Sequence, residues 1–444
     1  MSFGKKILDY KDDILKDLAN IVAIDSVSVE GKKKPQQALE YMLNRADEMG
    51  LTTKNVDSIA GHIQYGNGKK LCGVLTHLDV VPAGEGWNVP PFALTRKNGR
   101  IYGRGVADDK GAAVAAMYCL KALKDNNITA NSKIRLILGT NEETGMTDME
   151  HYFSKEQLPD ISFTPDSDYG ICQCEKGILQ LTLAGKNDSS VICSAKGGSA
   201  VNAVPDTALF VLNIGITIPE NSQGNFLVNK EGNITVLTSK GTAAHAMEPH
   251  KGFNSITHAV KMLYAAVGEE KSGTLVRFIN KYIGISTDGS MLGINQSDQQ
   301  SGNLTLNVGV IDINSNNASV KLDIRYPVST NCKFIVDSIT KLAEKYNLQV
   351  TVESHLSPLN VPIDSEIIST LQRAYKEITG EMPDLYSTGG GTYARTLGNR
   401  GVAFGPVFKS DCSNMHKPDE SLDEDKFFLH AQICLEAIYK MFTE

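Results

Sequence analysis

The chain has 444 residues, which is long enough for two domains, each with a hydrophobic core of its own. Its formal net charge of −7 argues against nucleic acid as a partner, and no apolar stretch reaches the roughly 20 residues that span a membrane. The N-terminal sequence is charged rather than signal-like, and eight scattered cysteines without a Cys-x-x-Cys pair favour a cytoplasmic protein with reduced thiols.

Two helices are predicted before the first buried strand. Apolar residues recur at helical spacing over Lys5–Val22 and Gln37–Met49, and Pro35 and Gly50 mark the two ends of the second helix. Lys32–Lys34 is the densest basic run of the chain, and we interpret it as a solvated loop. Both helices are expected to cover a sheet.

A strand, a helix and a second strand are predicted next. Leu71–Leu75 and Ile134–Leu138 are apolar runs typical of buried strands, and the Ala-rich segment Ala112–Leu123 is predicted to be helical. This order is typical of parallel strands joined by a crossover helix, and ligands of such sheets bind at the carboxyl ends of the strands. The residues predicted to lie at those ends are His77, Asp79, Glu142 and Glu143.

These residues, with the Asp-rich segment after Ala107 and Asp166, predict a metal centre. One imidazole and five nearby carboxylates in a single pocket would repel one another strongly unless a cation neutralised them. Imidazole and carboxylate ligands suit Zn²⁺, Mn²⁺ or Co²⁺, and the sequence offers no matching set of thiolates. At least one more ligand is needed from elsewhere in the chain.

From residue 178 onward the pattern changes to half-exposed strands mixed with helices. The predicted strands are Ile178–Leu183, Ala208–Ile216, Ile234–Leu237, Asn303–Ile313, Ala318–Arg325 and Gln349–Ser354. The predicted helices are Ser255–Ala266, Thr274–Ile283 and Phe334–Tyr346. Such a mixture predicts an α+β module that is distinct from the preceding α/β part.

After Pro358 and Pro362 the chain is expected to return to the first domain. Asp364 is predicted to cap a helix that ends at Gly380, and Asp425–Phe442 is predicted to be the closing helix. The predicted fold class is therefore α/β, with a mainly parallel twisted sheet flanked by helices and interrupted by an inserted α+β lid domain. The predicted boundaries are 1–177 and 359–444 for the catalytic domain and 178–358 for the lid.

Three longer motifs surround these residues. They are His-Leu-Asp-Val-Val-Pro-Ala-Gly-Glu-Gly-Trp at 77–87, Gly-Thr-Asn-Glu-Glu-Thr at 139–144 and Gly-Gly-Gly-Thr-Tyr-Ala-Arg at 389–395. Together with Asp108-Asp-Lys-Gly111, Asp166 and His416, they resemble the co-catalytic metallopeptidase family of aminoacylases, carboxypeptidases and desuccinylases. Within that family the sequences of these motifs are most similar to those of the bacterial dipeptidases of the PepV type, also called Xaa-His or β-alanyl dipeptidases.

The resemblance implies two divalent metal ions about 3.5 Å apart. Asp108 would bridge the two metals. His77 and Asp166 would complete one metal site, and Glu143 and His416 would complete the other. Zn²⁺ is the first expectation, with Mn²⁺ or Co²⁺ as alternatives that the sequence leaves open.

The resemblance also implies the catalytic groups beside the metals. Glu142 would be the general base for a metal-activated water, and Asp79 would orient the His77 ring. This division agrees with the chemistry, because one of the adjacent glutamates can bind metal while the other stays free to take a proton. The peptide bond between Asp108 and Asp109 is expected to be cis.

Family residues in the lid are expected to contact the substrate. His245, in a Gly-Thr-Ala-Ala-His-Ala motif, would stabilise the oxyanion, and Asn202 and Arg325 match substrate-contacting positions. A guanidinium suits a substrate carboxylate because its planar fork binds both oxygens. Gly390 and Gly391 would let the backbone approach the substrate closely. Taken alone, these would be ordinary surface, turn and strand-end residues, so their roles depend on the resemblance.

The predicted function is a cytoplasmic, metal-dependent dipeptidase that hydrolyses dipeptides with a free N-terminus. The long insert favours a monomer with a small peptide substrate, because in the dipeptidase branch that the sequence resembles an enlarged lid supplies the histidine within one chain. An N-acyl amino-acid hydrolase or desuccinylase with the same machinery is the alternative within the family. A catalytically inactive metal-binding protein is the alternative from another class, but it would have little reason to keep Glu142, which binds no metal.

Overall fold

The computed structural model describes residues 2–28, 34–217 and 225–444, and the chain forms two compact units. Unit 1 consists of Met1–Cys174, Leu359–Tyr386 and Gly391–Glu444, and unit 2 consists of Glu175–Pro358 and Ser387–Gly390. The sequence did not predict that the short segment Ser387–Gly390 belongs to unit 2. Most of the basic run Lys32–Lys34 lies outside the described residues. None of the described helices combines the length and the apolar character needed to cross a membrane.

The first segment of unit 1 contains the predicted strand–helix–strand order. Its helices are α1 (Lys11–Val22), α2 (Lys34–Glu48), α3 (Lys110–Asp125) and α4 (Thr147–Lys155). Its strands are β1 (Thr52–Val56), β2 (Ala60–Gly66), β3 (Lys70–His77), β4 (Thr95–Lys97), β5 (Arg100–Tyr102), β6 (Ser132–Gly139), β7 (Ile161–Thr164), β8 (Ser167–Asp168) and β9 (Ile171–Glu175). The predicted helix Lys5–Val22 is two elements, because a 3₁₀ helix over Phe3–Tyr10 precedes α1.

Unit 2 is built around an antiparallel sheet. Its strands are β10 (Gly177–Lys186), β11 (Ile192–Gly197), β12 (Thr207–Leu212), β13 (Phe226–Glu231), β14 (Ile234–Lys240), β15 (Ser297–Asp298), β16 (Gly302–Asn303), β17 (Thr305–Ile313), β18 (Asn317–Tyr326) and β19 (Gln349–Leu356). Its helices are α5 (Ser255–Val267), α6 (Glu269–Ser272), α7 (Thr274–Phe278) and α8 (Cys332–Glu344). The large sheet has the order β13-β14-β12-β11-β17-β18-β10-β19, and α5, α7 and α8 share one apolar core with it.

The remaining elements follow unit 2 in the chain. They are β20 (Leu359–Asn360), α9 (Glu366–Thr379), β21 (Leu385–Thr388), β22 (Gly401–Ala403), β23 (Pro406–Val407), β24 (Ser421–Asp423) and α10 (Glu424–Thr443). Helix α9 ends at Gly380, as predicted, and Gly380 has the left-handed conformation. The prediction that Asp364 caps this helix is wrong by one residue, because Ser365 has the extended backbone of the N-cap position and the helix begins at Glu366.

The sheet of unit 1 positions the candidate site. Its order is β1-β2-β6-β3-β7-β22-β9-β20, in which β6, β3, β7 and β22 are parallel neighbours and the flanking pairs β1–β2, β2–β6 and β22–β9 are antiparallel. The carboxyl ends of β3, β6 and β7 therefore meet at one edge. The Ala-rich helix α3 is buried along most of its length, which small side chains allow. The predicted α/β class with an inserted α+β unit is confirmed.

Candidate metal centre and active site

His77 ends β3, and both nitrogens of its buried ring face oxygen atoms. Nδ1 lies 2.9 Å from the backbone oxygen of Asp79 and 3.5 Å from its Oδ1. Nε2 lies 2.8 Å from Asp108 Oδ1 and 3.8 Å from Asp166 Oδ2. Because acceptors hold Nδ1, the ring presents Nε2 to the carboxylates, which is the usual orientation of a metal-binding histidine.

Asp108 lies between two histidines, one at each carboxylate oxygen. Its Oδ1 faces His77, and its Oδ2 lies 2.8 Å from Nε2 of His416. The same His416 nitrogen lies 3.3 Å from Glu143 Oε2. The peptide bond between Asp108 and Asp109 is cis, as expected. A carboxylate with one imidazole at each oxygen has the arrangement of a ligand shared by two cations, so the structure brings the five predicted metal ligands together.

The donor set fits divalent cations. Two overlapping groups, His77–Glu142–Asp166 and His77–Asp108–Glu143, each offer ligand atoms within 4.8 Å of one another. Among the described residues, Glu143 Oε1 is a buried acceptor without a hydrogen-bond partner. The second group contains only predicted ligands, whereas the first contains the predicted base, Glu142. An unpaired buried oxygen among imidazoles and carboxylates is what a cation site requires.

The buried carboxylates suppress each other's ionisation. Burial and the charge of Asp166 raise the pKa of Glu142 well above its usual value, and burial and Asp108 raise the pKa of Asp166 to about 7. Burial alone would raise the pKa of Asp108 as well. Hydrogen bonds from His416 and His77 outweigh this effect and lower the Asp108 pKa below its usual value. A divalent cation favours the ionised form of each carboxylate and so removes this repulsion.

The carboxylate of Asp79 makes hydrogen bonds that the sequence did not predict. Its Oδ1 accepts the N–H of Glu142 at 3.1 Å, and its Oδ2 accepts the N–H of Glu143 at 3.2 Å. Oδ2 also accepts the Ser28 hydroxyl at 2.7 Å, and Asp79 is fully buried. The carboxylate therefore ties the end of β3, with His77, to the loop that carries the two glutamates.

Glu420 is a buried carboxylate of the centre that sequence reasoning missed. Its Oε1 accepts three backbone N–H groups, those of Gly105, Ala107 and Asp108, at 3.0, 2.9 and 3.3 Å. Its Oε2 pairs with the buried guanidinium of Arg104 at 2.6 Å. Glu420 lies four residues after His416, so it connects the two loops that carry these ligands. A single glutamate on a loop gives no sequence signal of its burial.

The predicted lid histidine and Asn202 lie side by side in unit 2. The backbone oxygen of Asn202 accepts the N–H of Ala246, and Ala203 forms a β-bridge with His245. His245 is exposed, and its Nδ1 accepts the N–H of Met247 at 3.1 Å. This hydrogen bond places the proton of the neutral ring on Nε2, which is then a donor.

Arg325 is buried, and its guanidinium faces protein groups of unit 2. Nε and Nη2 donate to the two oxygens of Asp323 at 2.5 and 2.9 Å, and Nη1 donates to the backbone oxygen of Gly389 at 3.0 Å. Arg325 thus holds the glycine run that includes Gly390, whereas Gly391 lies in unit 1. At Gly390 an added Cβ would meet only ordinary contacts, the nearest at 3.4 Å.

The sequence matches known proteins over nearly its whole length. Residues 73–440 match the family model described as peptidase family M20/M25/M40. "Putative dipeptidase YtjP" of Bacillus subtilis is 34% identical over 469 residues, which cover 99% of this chain and 100% of that protein. "Putative dipeptidase SAB1611c" of Staphylococcus aureus is 34% identical over 468 residues and covers 99% of both chains.

Solved structures share the fold at low sequence identity. The dipeptidase Dug1p from Saccharomyces cerevisiae superposes with a TM-score of 0.62 at 14% identity, covering 99% of this chain and 98% of its own. Aminoacylhistidine dipeptidase from Vibrio alginolyticus gives a TM-score of 0.60 at 16% identity, covering 97% of this chain and 96% of its own. At this identity the similarity shows the fold alone.

Proposed function

The chain belongs to peptidase family M20/M25/M40, and on that premise we propose that it is a metal-dependent dipeptidase acting on dipeptides with a free N-terminus. The observation that carries the proposal is the Asp108 carboxylate between His77 and His416, with the Glu142–Glu143 pair beside it. Relatives that match this chain over 99% of its length carry dipeptidase names.

Two divalent cations would occupy the centre, with Asp108 shared between them. His77 and Asp166 would bind one cation, and Glu143 and His416 the other. When bound, the cations supply Lewis acidity towards the substrate carbonyl and make a water nucleophilic at neutral pH. We propose Zn²⁺ first, with Mn²⁺ and Co²⁺ as alternatives, because imidazole and carboxylate ligands suit all three metals.

Glu142 acts as the general base in this proposal. Its carboxylate takes a proton from the attacking water and delivers it to the leaving amine. Asp79 orients this base, because its carboxylate accepts hydrogen bonds from the backbone N–H groups of Glu142 and Glu143. It also faces the His77 ring through its own backbone oxygen.

The residues of unit 2 would recognise the substrate. His245 donates its Nε2–H to the oxyanion, which the hydrogen bond at Nδ1 supports. Asn202 and the backbone at Gly390 would contact the substrate, as would the backbone at Gly391, which belongs to unit 1. Arg325 binds the substrate carboxylate with the N–H groups that Asp323 and Gly389 do not use.

Glu142→Ala tests the base. We expect kcat for a dipeptide to fall by about 10²- to 10⁴-fold, the usual contribution of a general base. The metal content should stay near that of the unchanged protein, because Glu142 is not one of the proposed ligands. Elemental analysis and steady-state assays measure the two quantities, and Glu150→Ala, an exposed glutamate of α4, is the control. Hydrolysis that survives in Glu142→Ala would show that another group is the base.

A substrate comparison separates dipeptidase activity from the alternatives. We expect kcat/KM for dipeptides to exceed that for tripeptides and for N-acetyl amino acids, assayed with each metal after removal of bound metal. A preference for the acetylated compounds would instead identify an N-acyl amino-acid hydrolase or desuccinylase. A chain that binds two metals and turns over none of these compounds would be an inactive metal-binding protein.

We also propose a cytoplasmic monomer. The eight cysteines, all of them within the described residues, form no disulfide bond, which supports a reducing compartment. The monomer is proposed from the length of the predicted insert, residues 178–358, which make up most of unit 2.

A further inference from the structure

Asp148, in the first turn of α4, holds the two residues that precede the proposed base. Its Oδ2 accepts the N–H groups of Thr140 and Asn141 at 2.6 and 2.9 Å. Asp79 accepts the next two N–H groups of the same loop. Four consecutive N–H groups therefore point at two buried carboxylates. Asp79 already has a role in the proposed mechanism, whereas Asp148 is neither a ligand nor a base.

Tyr393 connects Asp148 to the metal centre. Its hydroxyl donates to the same Oδ2 at 2.5 Å, and Oδ1 accepts the N–H of Met149 at 2.8 Å. The Tyr393 ring is fully buried and meets the His77 ring edge to face, with 6.2 Å between ring centres and an angle of 89°. A single side chain thus contacts both the first imidazole of the centre and the acceptor that fixes the loop.

Gly139 shows how closely these groups pack. This residue ends β6, directly before the loop. A Cβ placed on it would collide with the Tyr393 hydroxyl and lie 2.5 Å from Asp148 Oδ2. Where the chain leaves β6, its backbone therefore packs against Tyr393 and Asp148. These two side chains fix the course of the backbone from Gly139 to Glu142.

We propose that Asp148 and Tyr393 are positioning residues for Glu142 and Glu143. They fix the backbone of residues 140 and 141, so that the glutamate carboxylates that follow point into the cluster with His77. This inference rests on the proposed function, in which Glu142 is the base and Glu143 a metal ligand. A displacement of about 1 Å at a reacting group is enough to lower a rate by about 10²-fold.

Two nearly isosteric variants test the proposal. Tyr393→Phe removes the hydroxyl and keeps the ring against His77, and Asp148→Asn keeps the shape of the carboxylate but replaces one acceptor by a donor. In the metal-loaded enzyme we expect each variant to lower kcat by about 10- to 100-fold, with KM nearly unchanged. Tyr152→Phe is the matched control, because Tyr152 is another fully buried tyrosine of unit 1 whose hydroxyl bonds to a side chain, that of His62.

Measuring the effect of Asp148→Asn again in the Glu142→Gln variant distinguishes positioning of the base from a general structural role. In enzyme saturated with Zn²⁺, where weaker metal binding at Glu143 no longer lowers the rate, Asp148→Asn should lower the residual rate of Glu142→Gln by less than twofold if Asp148 acts through the base. A residue with only a structural role would lower the rate by the same factor in both backgrounds, and this result would overturn the proposal. Tyr393→Phe answers the same question if Asp148→Asn does not fold.

Zinc titration of the metal-stripped protein gives a readout that does not depend on activity. Because Glu143 is one of the displaced residues, we expect Asp148→Asn to bind one of two Zn²⁺ equivalents about 10-fold more weakly by calorimetry. Unchanged Zn²⁺ affinity together with unchanged kcat would overturn the proposal. If the unchanged protein cleaves no dipeptide, the proposed function fails, and the titration alone then decides whether Asp148 positions Glu143.

Discussion

At the scale of single residues, the centre depends on carboxylates whose two oxygens have different partners. Asp108 faces one histidine with each oxygen, and Asp79 accepts one glutamate N–H with each. Glu420 accepts backbone N–H groups with one oxygen and a guanidinium with the other. An amide of the same shape keeps only one of the two acceptors, so Asn or Gln at these positions is not a conservative change.

Glu420→Gln is expected to weaken the centre without changing a metal ligand. The new NH₂ group would face either the N–H of Asp108 or the guanidinium of Arg104, and both of these are donors. We expect Zn²⁺ affinity and kcat to fall by about 10- to 100-fold, the usual effect of removing a group that orients a ligand. Calorimetric titration and steady-state assays measure these two losses.

Glu424→Gln is the control for this prediction. Glu424 pairs with Arg96 on the surface of the same unit, and surface pairs of this kind contribute only about 0–1 kcal/mol. Its substitution should leave both metal affinity and kcat unchanged. Equal behaviour of the two variants would contradict the role assigned to Glu420.

At the scale of elements, the parallel pairing of β3 with β6 explains why distant motifs meet. The register pairs His77 with Gly139, so the residues after each strand emerge side by side. The sequence predicted these strands and α3 because a buried apolar run bounded by polar residues is a local signal. It did not predict β11, whose Ser194 and Lys196 interrupt the apolar pattern of a strand.

The contacts that fix the site were harder to predict than the ligands. Metal ligands are recognisable because imidazole and carboxylates follow strand ends in long motifs. Asp148, Glu420 and Arg104 carry no such signal, because a charged residue on a loop or at a helix start is usually solvated. Their burial follows from the packing of segments as far apart in the chain as Arg104 and Glu420, which no local pattern encodes.

At the scale of the whole molecule, buried histidines of unit 1 make its stability depend on pH. Burial lowers the pKa of His430 to about 3, and burial, followed by the charge of Arg135, lowers the pKa of His62 to about 4. His430 contacts the Tyr169 hydroxyl at 2.9 Å through Nδ1, and its Nε2 has no partner among the described residues. Protonation of either ring is therefore unfavourable in the folded state.

The sign of this dependence follows from proton linkage. Between the unfolded histidine pKa of 6.5 and the folded value of about 3, the unfolded chain binds the extra proton, so stability is full above pH 6.5 and falls as the pH drops. Between pH 7 and pH 5 the free energy of unfolding should fall by about 2 kcal/mol less in His430→Asn than in the unchanged protein. Urea unfolding at several pH values measures this difference, and parallel pH curves for the two proteins would contradict it.

Unit 2 gains two hydrogen-bonding carbonyls, those of Thr388 and Gly389, from outside its main segment, so the segment that carries them matters when the two units are separated. The Gly389 oxygen accepts a hydrogen bond from Arg325, and a Cβ on Gly389 would lie 2.8 Å from Met247 Cβ. A fragment cut at Glu175 and Pro358 would leave this guanidinium without one of its acceptors and Met247 without its neighbour. Transplanting unit 2 into another scaffold therefore requires the tetrapeptide Ser387–Gly390 as a separate, spliced piece.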